Sequence, residues 1–175
     1  MECEAHPVAR IERTFICIRP DGLQRAIVGK IIKRFERRGY KLVGLKLMHS
    51  REDLLREHYS NLRDKPFFED VIRHMASGPR VAMVWEGPDV VRQGRALVAG
   101  LGISQPGHEP KVPVPCPPCT VRGDFSVQVG RNVIHGSDST DEANREINIW
   151  FTKGELLSYG RAIDPWIYDV DPTQQ

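Results

Sequence analysis

The chain has 175 residues, about one domain on the usual range of roughly 100–200 residues each. Its 25 Lys and Arg nearly balance 23 Asp and Glu, and the resulting net charge of +2 argues against a polybasic nucleic-acid module. An apolar share of 40% supplies one buried core and excludes a disordered chain, and no apolar run approaches the roughly 20 residues that span a bilayer.

Residues 1 to 12 read as a polar lead-in, acidic and without the apolar stretch of a secretory signal, so a soluble cytoplasmic domain is expected. Thr14 to Ile18 is a β-prone run stopped by the turn signal Pro20-Asp21-Gly22. Ile27, Ile31, Ile32 and Phe35 then recur at helical spacing, and Gly39 closes that helix. Tyr40 to Met48 reads as a second strand, followed by helices over Arg51–Leu62 and Phe67–Met75 with Pro66 at their junction. Val81 to Trp85 is a third strand, and Asp89 to Val98 a short helix.

Between Ala99 and Cys119 periodicity disappears, and six of the 13 prolines crowd into the stretch from Pro106 to Pro118. Structureless loops longer than about 12–15 residues are uncommon in compact domains. Cys116-Pro117-Pro118-Cys119 ends this stretch and reads as two thiols in a loop, because a zinc site needs about four ligands and a redox pair opens a helix. Phe125, Val127 and Val129 alternate with polar residues, which predicts the fourth strand. Ser139 and Glu142 have capping-box spacing and open a helix with Ala143, Ile147, Trp150 and Phe151 on one face. The order predicts one α+β domain over residues 1–175: a four-stranded antiparallel sheet with helices on one face, the split βαβ type.

Chemistry concentrates in Gly130 to Ser139, between a predicted strand and a capped helix. His135 is followed by Gly136, which permits close approach of a ligand to the backbone. Glu146, on the next helix, is placed to hold one ring nitrogen and leave the other free as a nucleophile. The remaining histidines, His6, His49, His58, His74 and His108, lie in polar or loop contexts and carry no functional signal.

Six motifs in order, Arg19-Pro20-Asp21-Gly22, Pro66-Phe67-Phe68, Gly78-Pro79, Val84-Trp85-Glu86-Gly87, Arg122-Gly123-Asp124-Phe125 and the stretch from Asn132 to Ser139, resemble the nucleoside diphosphate kinase family. The resemblance runs from Glu12 to Tyr168 outside the proline-rich loop. It implies a ferredoxin-like fold and ping-pong transfer of a γ-phosphate, usually from ATP, to a nucleoside diphosphate through a phosphohistidine at His135. Glu146 and Ser137 are then the supporting catalytic pair. Arg19, Tyr59, Arg95 and Arg122 gather phosphate oxygens. Asn132 meets the ribose, and Phe67 and Val129 flank the base. Mg²⁺ arrives on the nucleotide phosphates rather than in a protein cage. The resemblance also implies a homo-oligomer, commonly a hexamer, with no need of nucleic acid or membrane.

Two departures are visible. Arg19 stands where the family has a lysine, a planar fork in place of a compact charge, with an expected rate loss of about 10²–10³. Residues 99–119 replace the family's phosphate-binding threonine loop. These departures open the alternative of a catalytically weak or silent nucleotide-binding subunit of the same fold.

Overall fold

The computed structural model describes residues 11–100 and 116–168. Strand β1 (Ile11–Ile18) leads through a one-turn helix α1 (Pro20–Gln24) to α2 (Val28–Arg38). Strand β2 (Lys41–Met48) is followed by α3 (Glu52–His58) and α4 (Phe68–Ala76), with a 3-10 turn at Ser60–Leu62 between them. Then come β3 (Arg80–Pro88), α5 (Val90–Ala99), α6 (Val121–Phe125), β4 (Ile134–Gly136), α7 (Thr140–Trp150) and α8 (Asp164–Ile167).

The sheet order is β2-β3-β1-β4, antiparallel throughout, which is the expected ferredoxin-like α+β arrangement. Gly39 ends α2 at φ 98°, the left-handed conformation that glycine adopts without steric cost. Ser139 caps α7 by accepting the Glu142 N–H. The Glu142 carboxylate does not complete a capping box but takes a forked pair of bonds from Arg145.

Two expectations are corrected. Helices cover both faces of the sheet, not one. In β1, Phe15 and Cys17 join a core with α3, α4 and α7, whereas Ile16 and Ile18 join a core with α2 and α5. The run Phe15-Ile16-Cys17-Ile18 is apolar at every position because neither face meets water.

The fourth strand is not Phe125 to Val129. Thr120 caps α6 by accepting the Gly123 N–H, so Phe125 ends a helix and Val127 is left 86% exposed. Val129 opens a 3-10 turn, Val129–Arg131. The place beside β1 goes to Ile134–Gly136, whose central residue, His135, pairs with Cys17. A local cap outweighs an alternating pattern that has no partner strand.

No helix among the described residues is long and apolar enough to cross a membrane. Residues 101–115, which contain most of the proline-rich stretch, and the lead-in before Ile11 lie outside the described residues.

Candidate active site

His135 sits in the middle of β4, a three-residue strand whose flanks are pinned by arginines. Arg122, on α6, donates to the Ile134 carbonyl at 3.0 Å, and Arg95, on α5, donates to the Gly136 carbonyl at 3.0 Å. Arg95 also pairs with Asp138 at 2.8 Å. At the end of β1 the Arg19 N–H donates to the Val133 carbonyl at 2.9 Å.

Val133 has φ 60°, a strained value for a β-branched side chain. Its N–H is held by Asp21 Oδ2 at 3.0 Å, and Asp21 Oδ1 in turn faces His74 Nε2 at 3.2 Å. Gly22 permits this clamp, since a Cβ there would lie 2.7 Å from the Val133 carbonyl oxygen. Pro20-Asp21-Gly22 is therefore a first helical turn with Pro at its start, and its Asp braces the chain two residues before His135. Sequence spacing gave no sign of that role for Asp21, because the two segments are 112 positions apart.

The imidazole is oriented from behind. His135 Nε2 donates to Glu146 Oε1 at 2.7 Å, and Ser137 Oγ donates to Glu146 Oε2 at 2.5 Å. Ser137 is itself fixed to β1, with its N–H donating to the Phe15 carbonyl at 3.2 Å. Glu146 is 1% exposed, and burial pushes its carboxyl above the usual carboxylate range despite the opposing effects of His58 and Ser137. With Nε2 bonded to the carboxylate, a neutral His135 carries its lone pair on Nδ1.

The predicted site residues converge here to differing degrees. Tyr59, at the end of α3, brings its ring centroid to 6.3 Å from that of His135. Asn132 precedes β4 and is buried, while Phe67 lies at the N-terminus of α4 with its ring exposed. The stacking expected of the Val129 side chain lies outside the described part of the structure. Gly136 serves packing rather than ligand approach: a Cβ there would meet Ile16 Cδ1 at 3.0 Å.

Arg19, Arg95 and Arg122 are each no more than 9% exposed, and Arg80, one of the same buried set, is 1% exposed. Buried guanidiniums are costly unless anions or hydrogen bonds meet them, and here Arg95, Arg122 and Arg80 donate to the carbonyls of Gly136, Ile134 and Met75. His58 was not marked by the sequence, yet its ring lies 4.9 Å from that of His135 and is 4% exposed. Its one sequence signal is adjacency to Tyr59.

His58, His135 and Glu146 offer ligand atoms within 4.8 Å of one another, the cluster of this kind among the described residues. Two imidazoles and one carboxylate do not suit Mg²⁺, which takes oxygen ligands and keeps its waters. Cys116 is buried and Cys119 exposed, both as free thiols.

Residues 12–156 match the sequence model of the family described as nucleoside diphosphate kinase. Human nucleoside diphosphate kinase A is 52% identical over 162 residues, covering 93% of this chain and all of that protein. Human nucleoside diphosphate kinase 3 is 51% identical over 158 residues, covering 90% of this chain and 88% of that protein. Among solved structures, a halophilic nucleoside diphosphate kinase from Halobacterium salinarum in complex with CDP superposes with a TM-score of 0.80 at 41% identity, over 91% of this chain and all of that one. With a family match over most of its length, close relatives that align end to end and the same fold, the chain belongs to the nucleoside diphosphate kinase family, a family of phosphotransferases.

Proposed function

We propose that the chain acts as a single nucleoside diphosphate kinase domain in which His135 Nδ1 takes the γ-phosphoryl group of a nucleoside triphosphate and passes it to a nucleoside diphosphate. The observation that carries this reading is the 2.7 Å bond from His135 Nε2 to Glu146, which leaves Nδ1 as the nucleophilic nitrogen. In the first half-reaction the Nδ1 lone pair forms the N–P bond. The bond from the γ-phosphorus to the bridging oxygen breaks, and its electron pair leaves with the diphosphate. The ring becomes cationic with its proton still on Nε2, where the Glu146 carboxylate stabilises the developing charge. The second half-reaction reverses these steps on a different diphosphate.

Arg19, Tyr59, Arg95 and Arg122 bind the phosphates in this reading, and the burial of the three guanidiniums supports it. Asn132 contacts the ribose, and Phe67 stacks on the base with Val129 opposite. Stacking discriminates weakly among bases, so broad nucleotide use follows. The substrate enters as its Mg²⁺ complex. The CDP complex of the halophilic relative supports nucleotides of that class as ligands of this chain. Assembly into a homo-oligomer, hexameric by family resemblance, and a cytoplasmic location complete the proposal.

The test is a pulse of γ-labelled ATP with Mg²⁺ on wild type and His135→Ala. Acid-labile label on the wild type alone is expected, with loss of at least about 10³-fold in turnover on the variant. Equal labelling of both proteins, or none on the wild type, overturns the reading. The second of those results, with nucleotide still bound, is the behaviour of a silent subunit.

A further inference from the structure

Among the buried polar groups outside the assigned catalytic set, His58 has the most defined geometry. It ends α3, and Arg145 of α7 holds that helix end by donating to the Glu57 carbonyl at 3.1 Å and the His58 carbonyl at 2.8 Å. The ring packs edge-on against Phe15, Tyr59, Trp150 and His135. Trp150 Nε1 lies 3.0 Å from His58 Nδ1. An indole nitrogen donates and never accepts, so His58 Nδ1 must present its lone pair, and the proton of the neutral ring sits on Nε2. That Nε2 faces Glu146 Oε1 at 3.5 Å, the same oxygen that receives the His135 bond.

We propose that His58 is a positioning residue for the phosphotransfer: Trp150 locks it as the Nε2–H tautomer, and that N–H holds the Glu146 carboxylate in place to orient His135. The inference rests on the reading of His135 as the nucleophile. Glu146 then has three neighbours that share its two oxygens: Ser137 on one, His135 and His58 on the other. The opposite His58 tautomer would aim a lone pair at a buried carboxylate. Burial holds His58 well below the ordinary histidine range, with His135, Arg145 and Arg19 acting in the same direction against Glu146, so the ring stays neutral. The charged neighbours of Glu146 on its own helix are Glu142 and Arg145, which act in opposite senses.

The test compares the wild type with His58→Phe, which keeps an aromatic ring without the N–H, and His58→Gln, which restores a donor. The Phe variant is expected to form phosphohistidine about tenfold more slowly, less than the ~10²–10³ of a direct transition-state donor because the contact is longer. Nucleotide Kd is expected to stay within about twofold, since the phosphate ligands are untouched. Loss of the N–H leaves Glu146 harder to ionise, so the acid limb of the rate profile moves to higher pH in His58→Phe and back in His58→Gln. An unchanged rate and limb in the Phe variant, or equal losses in both variants, overturns the proposal. If the Phe variant does not fold, Trp150→Phe removes the indole donor while keeping an aromatic ring in the same place, and it is judged by the same criteria.

Nitrogen NMR of the histidine rings separates this inference from the reading beneath it, because it needs no turnover. Should the wild type take no label, the phosphohistidine reading fails. His58 still stands if its ring carries the proton on Nε2 and if His135 loses its single tautomer in His58→Phe. A His58 proton on Nδ1, or a His135 tautomer that does not change, overturns it.

Discussion

Along β1, Ile16 and Ile18 point into one core while Phe15 and Cys17, a residue away in each case, point into another, and the two cores have different chemistry. The face covered by α2 and α5 is aliphatic and aromatic, with Phe35 and Trp85 stacked at 5.1 Å between ring centroids. The face covered by α3, α4 and α7 packs Phe15 against Trp150 in the same way, at 6.1 Å. It also buries His58 and Glu146 and carries His135 at its edge. Arg80 lies under Trp150 on this side, with its guanidinium carbon 5.7 Å from a ring of the indole and a bond to the Met75 carbonyl. The first face is mostly apolar and carries buried Arg95 of α5 only where it meets β4, whereas the second buries the carboxylate that aims the imidazole.

Cutting into the apolar face gives the largest expected change in stability. Phe35→Ala removes a fully buried ring and is expected to destabilise the fold by about 3–5 kcal/mol, read as a lower midpoint in urea. The phosphohistidine chemistry of the molecules that remain folded should be unaltered. A matching loss in the rate of label uptake per folded molecule would erase the division between the faces.

Glu146→Gln tests the polar face with almost no change in volume. The rate of phosphohistidine formation is expected to fall by about 10²–10³-fold, because the charge that stabilises the cationic ring is gone. Stability should change in the opposite sense at neutral pH. The Glu146 carboxyl is held above its unfolded value of 4.5, so the folded state binds more protons there, and stability falls as pH rises from 4.5 through the raised value. The Gln variant is expected to lose that decline in urea titrations across the same window. A variant that is both inactive and less stable at neutral pH would mean that Glu146 holds the fold together as well as the ring.

A smaller effect sharpens the contrast at the far end of the sheet. Glu86 on β3 receives Arg13 from β1 and Lys41 from β2, each at 2.7 Å, and so ties three strands together. Burial alone would raise this carboxyl, but the hydrogen bonds from Lys41 and Arg13 outweigh it and hold it below 4.5. Its stabilisation is thus present above 4.5 and lost as pH falls through the lowered value. Glu86→Gln is expected to flatten the acid side of the stability profile without changing the rate of label uptake at neutral pH. A steep acid side that persists in the variant would assign it to other carboxylates.

Much of this architecture is legible in the chain itself, and for local reasons. Gly39, Ser139 and the helical spacing of Ile27, Ile31 and Phe35 act within a few residues, so caps and periodicity locate the helices directly. The unbroken apolar run of β1 is legible too, but that both of its faces are buried is decided only by the helices that pack on either side. The motif around His135, with Ser137 and Glu146, is legible through its resemblance to the family, and the fold brings those three side chains into one hydrogen-bonded chain.

Contacts between distant segments decided the rest. Phe125 to Val129 has the alternation of a strand, yet the capped α6 and the pairing of His135 with Cys17 place the fourth strand elsewhere. Gly22 and Gly136 mark close approaches to Val133 and Ile16, which no local signal distinguishes from a turn or a ligand site. His58 looked like any polar helical histidine until α7 brought Trp150 and Glu146 to its two nitrogens, from 92 and 88 positions away. A sequence specifies which groups can ionise, donate or pack. Whether a histidine is solvated or locked in one tautomer depends on which partners the folded chain delivers to it, and those partners are set by long-range packing.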